Sequence, residues 1–469
     1  MQKILTLGIK EWLSGIGVGQ HLEGSGIFTS ADGINPFVDP FLNSADFGLL
    51  QPGKTAVDIS GVADQNVVAF ASRITGSSSG TLYALGISGD LYAINLATDG
   101  LSLQQALASV TSAQNMWISK ESGGTEYLYY INNGINIGRW DLASTYTYNW
   151  VTTLQNTTIH PVHDWQKSHW IGDKNLISKV DETGTFIAGS LTLNADFTVT
   201  CLSDDDYRLV IGASSQTSSI TLKSVVRVYF WDGASTLPEK MWDIPEPNIQ
   251  WIKKVGEIFY ANCGRSLYAF NYSTPPTKII DLDANHSTSA GNYNAVDRLG
   301  DAVLWGSVDI NMFGKLNARV PKAYTVPFIF ALRAASVTAL NASTKQGTIY
   351  VAGNNAKIYT ISTTTGGETS GLLARTQFID LKDVWNIQGI TIIFGANLAS
   401  GDDVTITLIN RNADSKSVTP TFATLGAISR QHYDVQLKAD QLQITIGGFN
   451  GGNPKIKDII IYGEKTIEL

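Results

Sequence analysis

Apolar and polar residues alternate in short runs along most of this chain, and Gly, Asn, Asp and Ser separate the runs. Such a pattern predicts β-strands joined by tight turns. Residues 81–86 and 91–96 are one example, and the turn residues 88–90 between them predict a hairpin. Helical patterning is confined to the first 14 residues and Leu103–Val110. The pattern therefore predicts an all-β protein.

A five-residue signature recurs through the middle of the chain. It consists of an apolar residue, two variable residues, a usually apolar residue and then Asn, Asp or Ser. A polar residue of this kind can accept hydrogen bonds from the backbone N–H groups that follow and so begin a turn. The copies are Leu91–Asn95, Ile137–Asp141, Ile177–Asp181, Val228–Asp232, Leu267–Asn271, Phe313–Asn317 and Ile358–Ser362.

The spacing of this signature predicts a β-propeller. Repeats of about 40–50 residues that hold four short strands are typical of propeller blades, because a lone blade cannot bury both of its faces. Seven copies predict about seven blades over residues 61–371. An all-β array that does not close into a circle is the alternative. The sequence lacks the paired Gly-His and Trp-Asp motifs of WD40 repeats and the double glycine of kelch repeats in register.

The two ends of the chain differ from this middle region. Residues 372–469 hold longer strands with clean alternation, which predicts a C-terminal β-sandwich. Two of its predicted strands are Tyr433–Lys438 and Leu442–Ile446. Residues 1–60 are irregular, rich in Gly, Asp, Asn and Pro, and predict an N-terminal arm used in assembly. Its spaced aromatic residues are candidate assembly contacts: Trp12, Phe28, Phe37, Phe41 and Phe47.

Composition and charge narrow the functional classes. The chain has 469 residues, only 16% of them charged, and a net charge of -8. That balance argues against nucleic-acid binding by bulk charge. Lys10 and Glu11 interrupt the first apolar run, so we expect synthesis in a cytoplasm without general secretion, and no membrane insertion. Cys201 and Cys263 cannot make a disulfide framework and are expected to be small buried residues.

Few residues suggest chemistry. His160, His163 and His169 lie within ten residues and are candidate zinc ligands, although loop histidines are the simpler interpretation. Gly76–Gly80 matches the nucleophile elbow G-x-S-x-G, but a strand follows where that motif requires a helix. Asp281, Asp283 and Asn285 begin like a calcium loop that lacks the later Gly and Glu. We therefore expect no catalytic residue, no cofactor and no enzyme activity.

An irregular arm, then a propeller, then a β-sandwich resembles the virion proteins at the distal end of phage tails. The closest architectural likeness is the tail nozzle, or packaged-DNA stabilisation protein, of short-tailed phages. The segments that carry the resemblance are Gly33–Phe41, Phe47–Pro52, Gln431–Leu437, Leu442–Ile446 and Lys457–Tyr462.

The resemblance implies a structural virion protein located in the tail. Such a protein assembles with itself as a symmetric ring and contacts neighbouring tail or portal-side virion proteins. It lets DNA pass without binding it specifically, and a host receptor is a further candidate partner. Two alternatives remain open: a receptor- or carbohydrate-binding propeller, and a glycoside hydrolase with paired carboxylates near the axis.

Overall fold

The computed structural model describes most of the middle of the chain and parts of both ends. Its described residues are 4–9, 28–32, 34–35, 51–52, 57–59, 65–74, 80–107, 109–155, 159–215, 224–282, 287–288, 292–300, 302–308, 310–314, 322–326, 336–345, 348–362, 373–376, 378–395, 398, 401, 403–420, 429–450 and 456–466.

The described residues form strands, turns and bends, with no helix among them, so the all-β prediction is confirmed. The first nineteen strands are β1 (Ile4–Ile9), β2 (Phe28–Asp32), β3 (Ile34–Asn35), β4 (Gln51–Pro52), β5 (Val57–Asp58), β6 (Val67–Ile74), β7 (Gly80–Gly86), β8 (Asp90–Asn95), β9 (Gly100–Ala106), β10 (Ala113–Lys120), β11 (Glu126–Asn132), β12 (Asn136–Trp140), β13 (Tyr146–Val151), β14 (Val162–Trp165), β15 (Ser168–Asp173), β16 (Leu176–Val180), β17 (Phe186–Thr192), β18 (Phe197–Asp204) and β19 (Leu209–Ser215).

The other nineteen strands run to the end of the described chain. They are β20 (Val226–Trp231), β21 (Lys240–Ile244), β22 (Ile249–Val255), β23 (Ile258–Cys263), β24 (Ser266–Phe270), β25 (Thr277–Asp281), β26 (Val296–Leu299), β27 (Ala302–Gly306), β28 (Ile310–Gly314), β29 (Lys322–Val326), β30 (Val337–Asn341), β31 (Thr348–Gly353), β32 (Ile358–Ser362), β33 (Leu373–Thr376), β34 (Ile379–Phe394), β35 (Asp403–Asn410), β36 (Ser415–Val418), β37 (Arg430–Asn450) and β38 (Ile456–Lys465).

The chain divides into two compact units. One unit contains residues 58–308 and 335–360, and the other contains residues 1–57, 309–334 and 361–469. We call the first the repeat unit and the second the terminal unit, and each is described by itself.

The repeat unit is built from antiparallel sheets of four strands. Five complete sheets follow one another, β6-β7-β8-β9, β10-β11-β12-β13, β14-β15-β16-β17, β18-β19-β20-β21 and β22-β23-β24-β25. We number them sheets 1 to 5 and use sheets 6 and 7 for those that begin with the pairs β26-β27 and β30-β31. In each complete sheet the predicted signature forms the third strand. The apolar residues of the signature are buried there.

The first strands of these sheets contact one another in a closed order. β6 contacts β10, which contacts β14, and the order continues through β18, β22, β26 and β30 back to β6. The apolar residues between consecutive sheets form the core. One cluster joins sheet 1 to sheet 2 through residues such as Leu85 and Tyr130, and another joins sheet 4 to sheet 5 through Val228 and Phe259.

The terminal unit contains one hydrogen-bonded sheet of eight strands. Its main order is β1-β38-β34-β37-β33-β2, and β35 pairs with both β36 and β37. The sequence predicts two strands at Tyr433–Lys438 and Leu442–Ile446, whereas the structure has the single strand β37. Its first half pairs with β34 and its second half with β35, so residues 439–441 continue the strand instead of turning.

The structure differs from the sequence pattern at both segments with helical patterning. Residues 4–9 form β1, which pairs with β38 from Ile4 opposite Glu464 to Ile9 opposite Ile459. Residues 103–106 belong to β9, the fourth strand of sheet 1. A neighbouring strand offers backbone partners at both places, and this tertiary pairing overrides weak local helix propensity.

Candidate functional site

A central cavity lies where the seven first strands meet. Its volume is about 410 Å³, and residues from all seven first strands line it. Consecutive residues of several first strands line it, for example Phe70–Ser72 and Trp251–Lys253. Besides Tyr293 and Asn294, its polar and charged lining residues are Ser72, Asn115, His163, Asp164, Lys253, Asp297, Asn341 and Ser343.

Tyr293 and Asn294, just before β26, extend across one end of this cavity. The Tyr293 hydroxyl donates to the carbonyl oxygens of Gln114 and His160, both at 3.3 Å. The Asn294 amide donates to Val68 O at 2.8 Å and to Gln114 O at 3.2 Å. These carbonyls lie at or just before the first strands of sheets 1, 2 and 3. Because a segment of sheet 6 reaches all three, it must cross the centre of the circle.

The surroundings of Tyr293 keep its hydroxyl neutral. Burial raises its pKa well above the ordinary value, and the hydrogen bond to His160 only partly opposes that shift. A neutral phenol remains a donor for both carbonyls. We call Tyr293 and Asn294 the axial plug.

His163 joins sheet 3 to sheet 4 at the cavity wall. Its Nε2 lies 2.7 Å from Asp204 Oδ2. Burial by itself raises the pKa of the Asp204 carboxyl, but hydrogen bonds from His163 and from the Asp206 N–H outweigh it. The charges of His163 and Lys254 act in the same direction, so the pKa of Asp204 is lowered and the carboxylate stays ionised.

Asp297 joins sheet 6 to sheet 7. Its Oδ2 accepts hydrogen bonds from the backbone N–H groups of Ala342 at 2.7 Å and Ser343 at 3.0 Å, and from the Ser343 hydroxyl at 2.9 Å. Its Oδ1 accepts the Arg298 N–H at 2.8 Å and lies 4.0 Å from Lys253 Nζ. The Asp297 carboxylate is therefore well supplied with donors from the protein.

The three candidate zinc ligands have separate partners. His160 is fully buried, and its ring nitrogens lie 2.9 Å from Gly172 O and 3.0 Å from Gly134 O. His163 pairs with Asp204, and His169 Nδ1 contacts Asp164 Oδ1. Within the described residues, no group of three or more His, Cys, Asp or Glu side chains is arranged to hold a metal ion. The geometry assigns His160 and His163 to hydrogen bonds within the fold and His169 to a contact with the neighbouring strand.

The other candidates are placed as follows. Cys201 and Cys263 are buried free thiols, and burial raises the pKa of both. Asp281 accepts hydrogen bonds from Ser266 and Lys278. Phe28 begins β2 at the edge of the terminal sheet. Several candidates lie outside the described residues: Trp12, Phe37, Phe41, Phe47, Asp283, Asn285 and residues 76–79.

Sequence reasoning did not identify the axial plug or the charged pair Lys253 and Asp297. Tyr293 lies 179 residues from Gln114 along the chain, and Asn294 lies 226 residues from Val68. A local sequence motif cannot predict a contact between residues so far apart in the chain. The one available signal was an aromatic residue between two asparagines directly before a first strand.

Comparisons with known proteins do not assign a family. No family model matches the chain, and no curated protein matches its sequence. Among solved structures, a component of a mitotic checkpoint complex matches 66% of this chain and 91% of its own, at 10% identity and a TM-score of 0.46. A computationally designed protein named Ika8 matches 66% of this chain and 99% of its own, at 11% identity and a TM-score of 0.42.

No helix in the part of the chain that the structure describes is long and apolar enough to cross a bilayer.

Proposed function

We propose that this chain is a structural virion protein of a phage tail, of the nozzle, hub or tail-tip type. In this proposal it assembles with itself as a symmetric ring that forms or closes the DNA exit channel. The observation that carries the proposal is the order of two architectures along one chain, a closed circle of small sheets followed by a large terminal sheet. That order is the basis of the resemblance to tail nozzle proteins.

The repeat unit fits a seven-bladed β-propeller. Seven first strands contact one another in a closed order, in which β30 of sheet 7 contacts β6 of sheet 1. The Ile59 N–H donates to Ile358 O at 3.1 Å, and Lys357 Nζ lies 2.9 Å from Asp58 Oδ2. A propeller closed by its first residues resists opening, because separation must break backbone and ionic contacts together.

The terminal unit fits a β-sandwich whose two layers share the long strand β37. One layer is β1-β38-β34 with the first half of β37, and the other includes β35, β36 and the second half. Side chains from both groups, such as Ile390 and Ile461 from one and Ile406 from the other, belong to one buried cluster. Two strands of the N-terminal arm, β1 and β2, lie at the two ends of the main strand order.

Exposed apolar side chains of sheet 4 suit a contact with a neighbouring copy. Tyr207 is 78% exposed and Leu237 is 72% exposed. Their turns are tied together because Arg208 Nε donates to Glu239 Oε2 at 2.6 Å, and Arg208 Nη1 donates to Asp205 Oδ2 at 2.9 Å. Exposed apolar residues on a rigid support are typical of protein interfaces. We call Tyr207 and Leu237 the sheet 4 patch.

DNA would pass between copies of the chain and not through a single propeller. The axial plug crosses the centre of the circle, and the cavity beneath it is only about 410 Å³ in volume. A net charge of -8 also suits a channel that guides DNA without holding its phosphates.

The test is the assembly state of the full chain, measured by mass photometry and electron microscopy. We expect closed rings from the purified protein and density for the chain in the tail of the encoding particle. The double variant Tyr207→Ser, Leu237→Ser should reduce ring formation while the monomer stays folded. Tyr148→Ser, which changes an exposed tyrosine on β13, is the matched control.

Two results would contradict the proposal. A folded monomer at all concentrations, absent from virions, would remove the structural role. Equal loss of rings in the control variant would show that the sheet 4 patch is not the interface.

A receptor- or carbohydrate-binding propeller is the second candidate function. The central cavity favours it, because hydroxyl, amide and charged side chains converge on one concave site. A glycoside hydrolase is a weaker variant of this candidate. Binding to a glycan array without hydrolysis would separate the two.

A further inference from the structure

We propose that the central cavity binds a small hydroxylated anion, of the sugar-acid or sugar-phosphate class. This inference goes beyond the assembly role and does not depend on it, because every residue used belongs to the repeat unit of one chain. Three features of the cavity support it: Lys253, the polar lining and the axial plug.

The lining carries two carboxylates, Asp164 and Asp297, and one ammonium, Lys253, and it is the lysine that can receive an anion. Both lining carboxylates already have partners, since Asp297 accepts four hydrogen bonds and Asp164 contacts His169. Lys253 Nζ is different: among the described residues its partner is Asp297 Oδ1, at 4.0 Å, which is too long for a hydrogen bond. The Lys253 ammonium therefore keeps donors for an external oxyanion.

The rest of the lining suits hydroxyl groups. Ser72 and Asn341 place a hydroxyl and an amide at the wall of the cavity. Hydroxyls and amides both donate and accept, which matches the alternating donors and acceptors of a sugar ring. A volume of about 410 Å³ accommodates a monosaccharide with some water.

The axial plug limits the size of the ligand. Tyr293 and Asn294 bond to carbonyls at or just before three first strands, so they cross the cavity where these strands begin. A polymer cannot thread through such a cavity. The ligand is therefore a small molecule or the end of a chain.

The experiment is calorimetric titration of the full-length protein with four probes. D-glucuronate and glucose 6-phosphate carry an anion and hydroxyls, D-glucose carries only hydroxyls, and inorganic phosphate carries only the anion. We expect saturable binding of at least one of the first two, and binding about tenfold weaker or worse for glucose and phosphate. The sugar anion with the higher affinity shows whether the cavity prefers a carboxylate or a phosphate.

Two lysine variants locate the site. Lys253→Met should weaken binding of the preferred sugar anion by about tenfold or more, because a charge-assisted hydrogen bond is lost. Lys254→Met is the matched control, since Lys254 is the next residue of β22 but bonds to Asp206 at 2.6 Å and does not line the cavity. It should bind as the unchanged protein does. Lys253→Arg, which keeps the charge, should retain most of the affinity if Lys253→Met proves unstable.

Three outcomes overturn the inference. One is the absence of saturable binding by either sugar anion, another is equal binding of glucose, and the last is equal loss in Lys253→Met and Lys254→Met. None of them bears on ring formation, which mass photometry measures separately.

Discussion

Single aspartate and asparagine residues end the third strands of the repeat sheets and build the turns that follow. Asp141 Oδ1 accepts the backbone N–H groups of Ala143, Ser144 and Thr145, each at 2.9 Å. Asn95, Asp181, Asp232 and Asn271 accept equivalent hydrogen bonds. The predicted role of the fifth signature residue is confirmed at these five positions.

The pH dependence of folding tests this role. Hydrogen bonds from the backbone of Thr145, and then of Ala143 and Ser144, lower the pKa of Asp141. A lowered pKa in the folded state gives stability that is present above the unfolded value of about 3.9 and is lost as the pH falls through the folded value. We expect Asp141→Ala to lower stability at neutral pH and to lose part of this acid sensitivity.

Asp141→Asn is the matched control for that prediction. Asparagine accepts the same hydrogen bonds at positions 95 and 271, so this variant should keep the turn and remove only the titration. Thermal unfolding followed by circular dichroism between about pH 3 and pH 7 measures both variants. Equal destabilisation by Ala and Asn would contradict the turn role.

His160 acts at the same scale, in the core. Its ring faces two carbonyl oxygens, and its own carbonyl accepts the Asn115 amide at 3.2 Å and the Tyr293 hydroxyl at 3.3 Å. His160→Leu removes the ring N–H, so the carbonyl that accepts it loses its donor, which costs about 1–3 kcal/mol. Urea unfolding measures this loss. Leu103→Ala, at an exposed residue of β9 in the same unit, should change stability by less than about 0.5 kcal/mol.

At the scale of elements, pairing partners decide what a segment becomes. Residues 4–9 have helical patterning in the sequence but form an edge strand because β38 offers a ladder of backbone groups. Leu7 also packs against the core of the terminal unit. β37 shows the same dependence on partners. The sequence predicts strands in this region, but the structure joins two predicted strands into one.

Removal of residues 1–9 tests the pairing of β1. The deletion exposes one edge of β38, so amide hydrogen exchange at residues 459–461 should accelerate by about an order of magnitude. Leu7→Ala keeps the backbone ladder and should have a smaller effect. Exchange in β19 of the repeat unit serves as the internal reference. Unchanged exchange in β38 would show that β1 contributes little.

At the scale of the whole repeat unit, stability depends on closing the circle between sheet 7 and sheet 1. The Tyr350 hydroxyl donates to Asp99 Oδ1 at 2.5 Å, and Lys345 Nζ donates to the same oxygen at 2.8 Å. The Thr338 hydroxyl donates to Val67 O at 2.5 Å. Burial, and then Asp99, raise the pKa of Tyr350, so its hydroxyl remains a donor throughout the neutral range.

Tyr350→Phe tests this closure. The variant loses the bond to Asp99 and should destabilise the repeat unit by about 1–3 kcal/mol, because the bond is charge-assisted. Tyr359→Phe is the matched control, since the Tyr359 hydroxyl accepts a hydrogen bond from the uncharged amide of nearby Asn355, at 3.0 Å. Denaturant unfolding measures both. A larger effect of the control would contradict the importance of closure.

The sequence by itself determined the strands, the repeated signature and the turns, because these depend on the order of neighbouring residues and on hydrogen bonds within a few positions. Asp141 and its three backbone donors are such a case. Only the tertiary structure decided the position of the central cavity, the axial plug and the closing contacts of Tyr350. The residues concerned lie more than a hundred positions apart; Tyr293 and His160, for example, are separated by 133 positions. The local sequence pattern does not determine which distant carbonyl accepts a hydrogen bond from a given side chain.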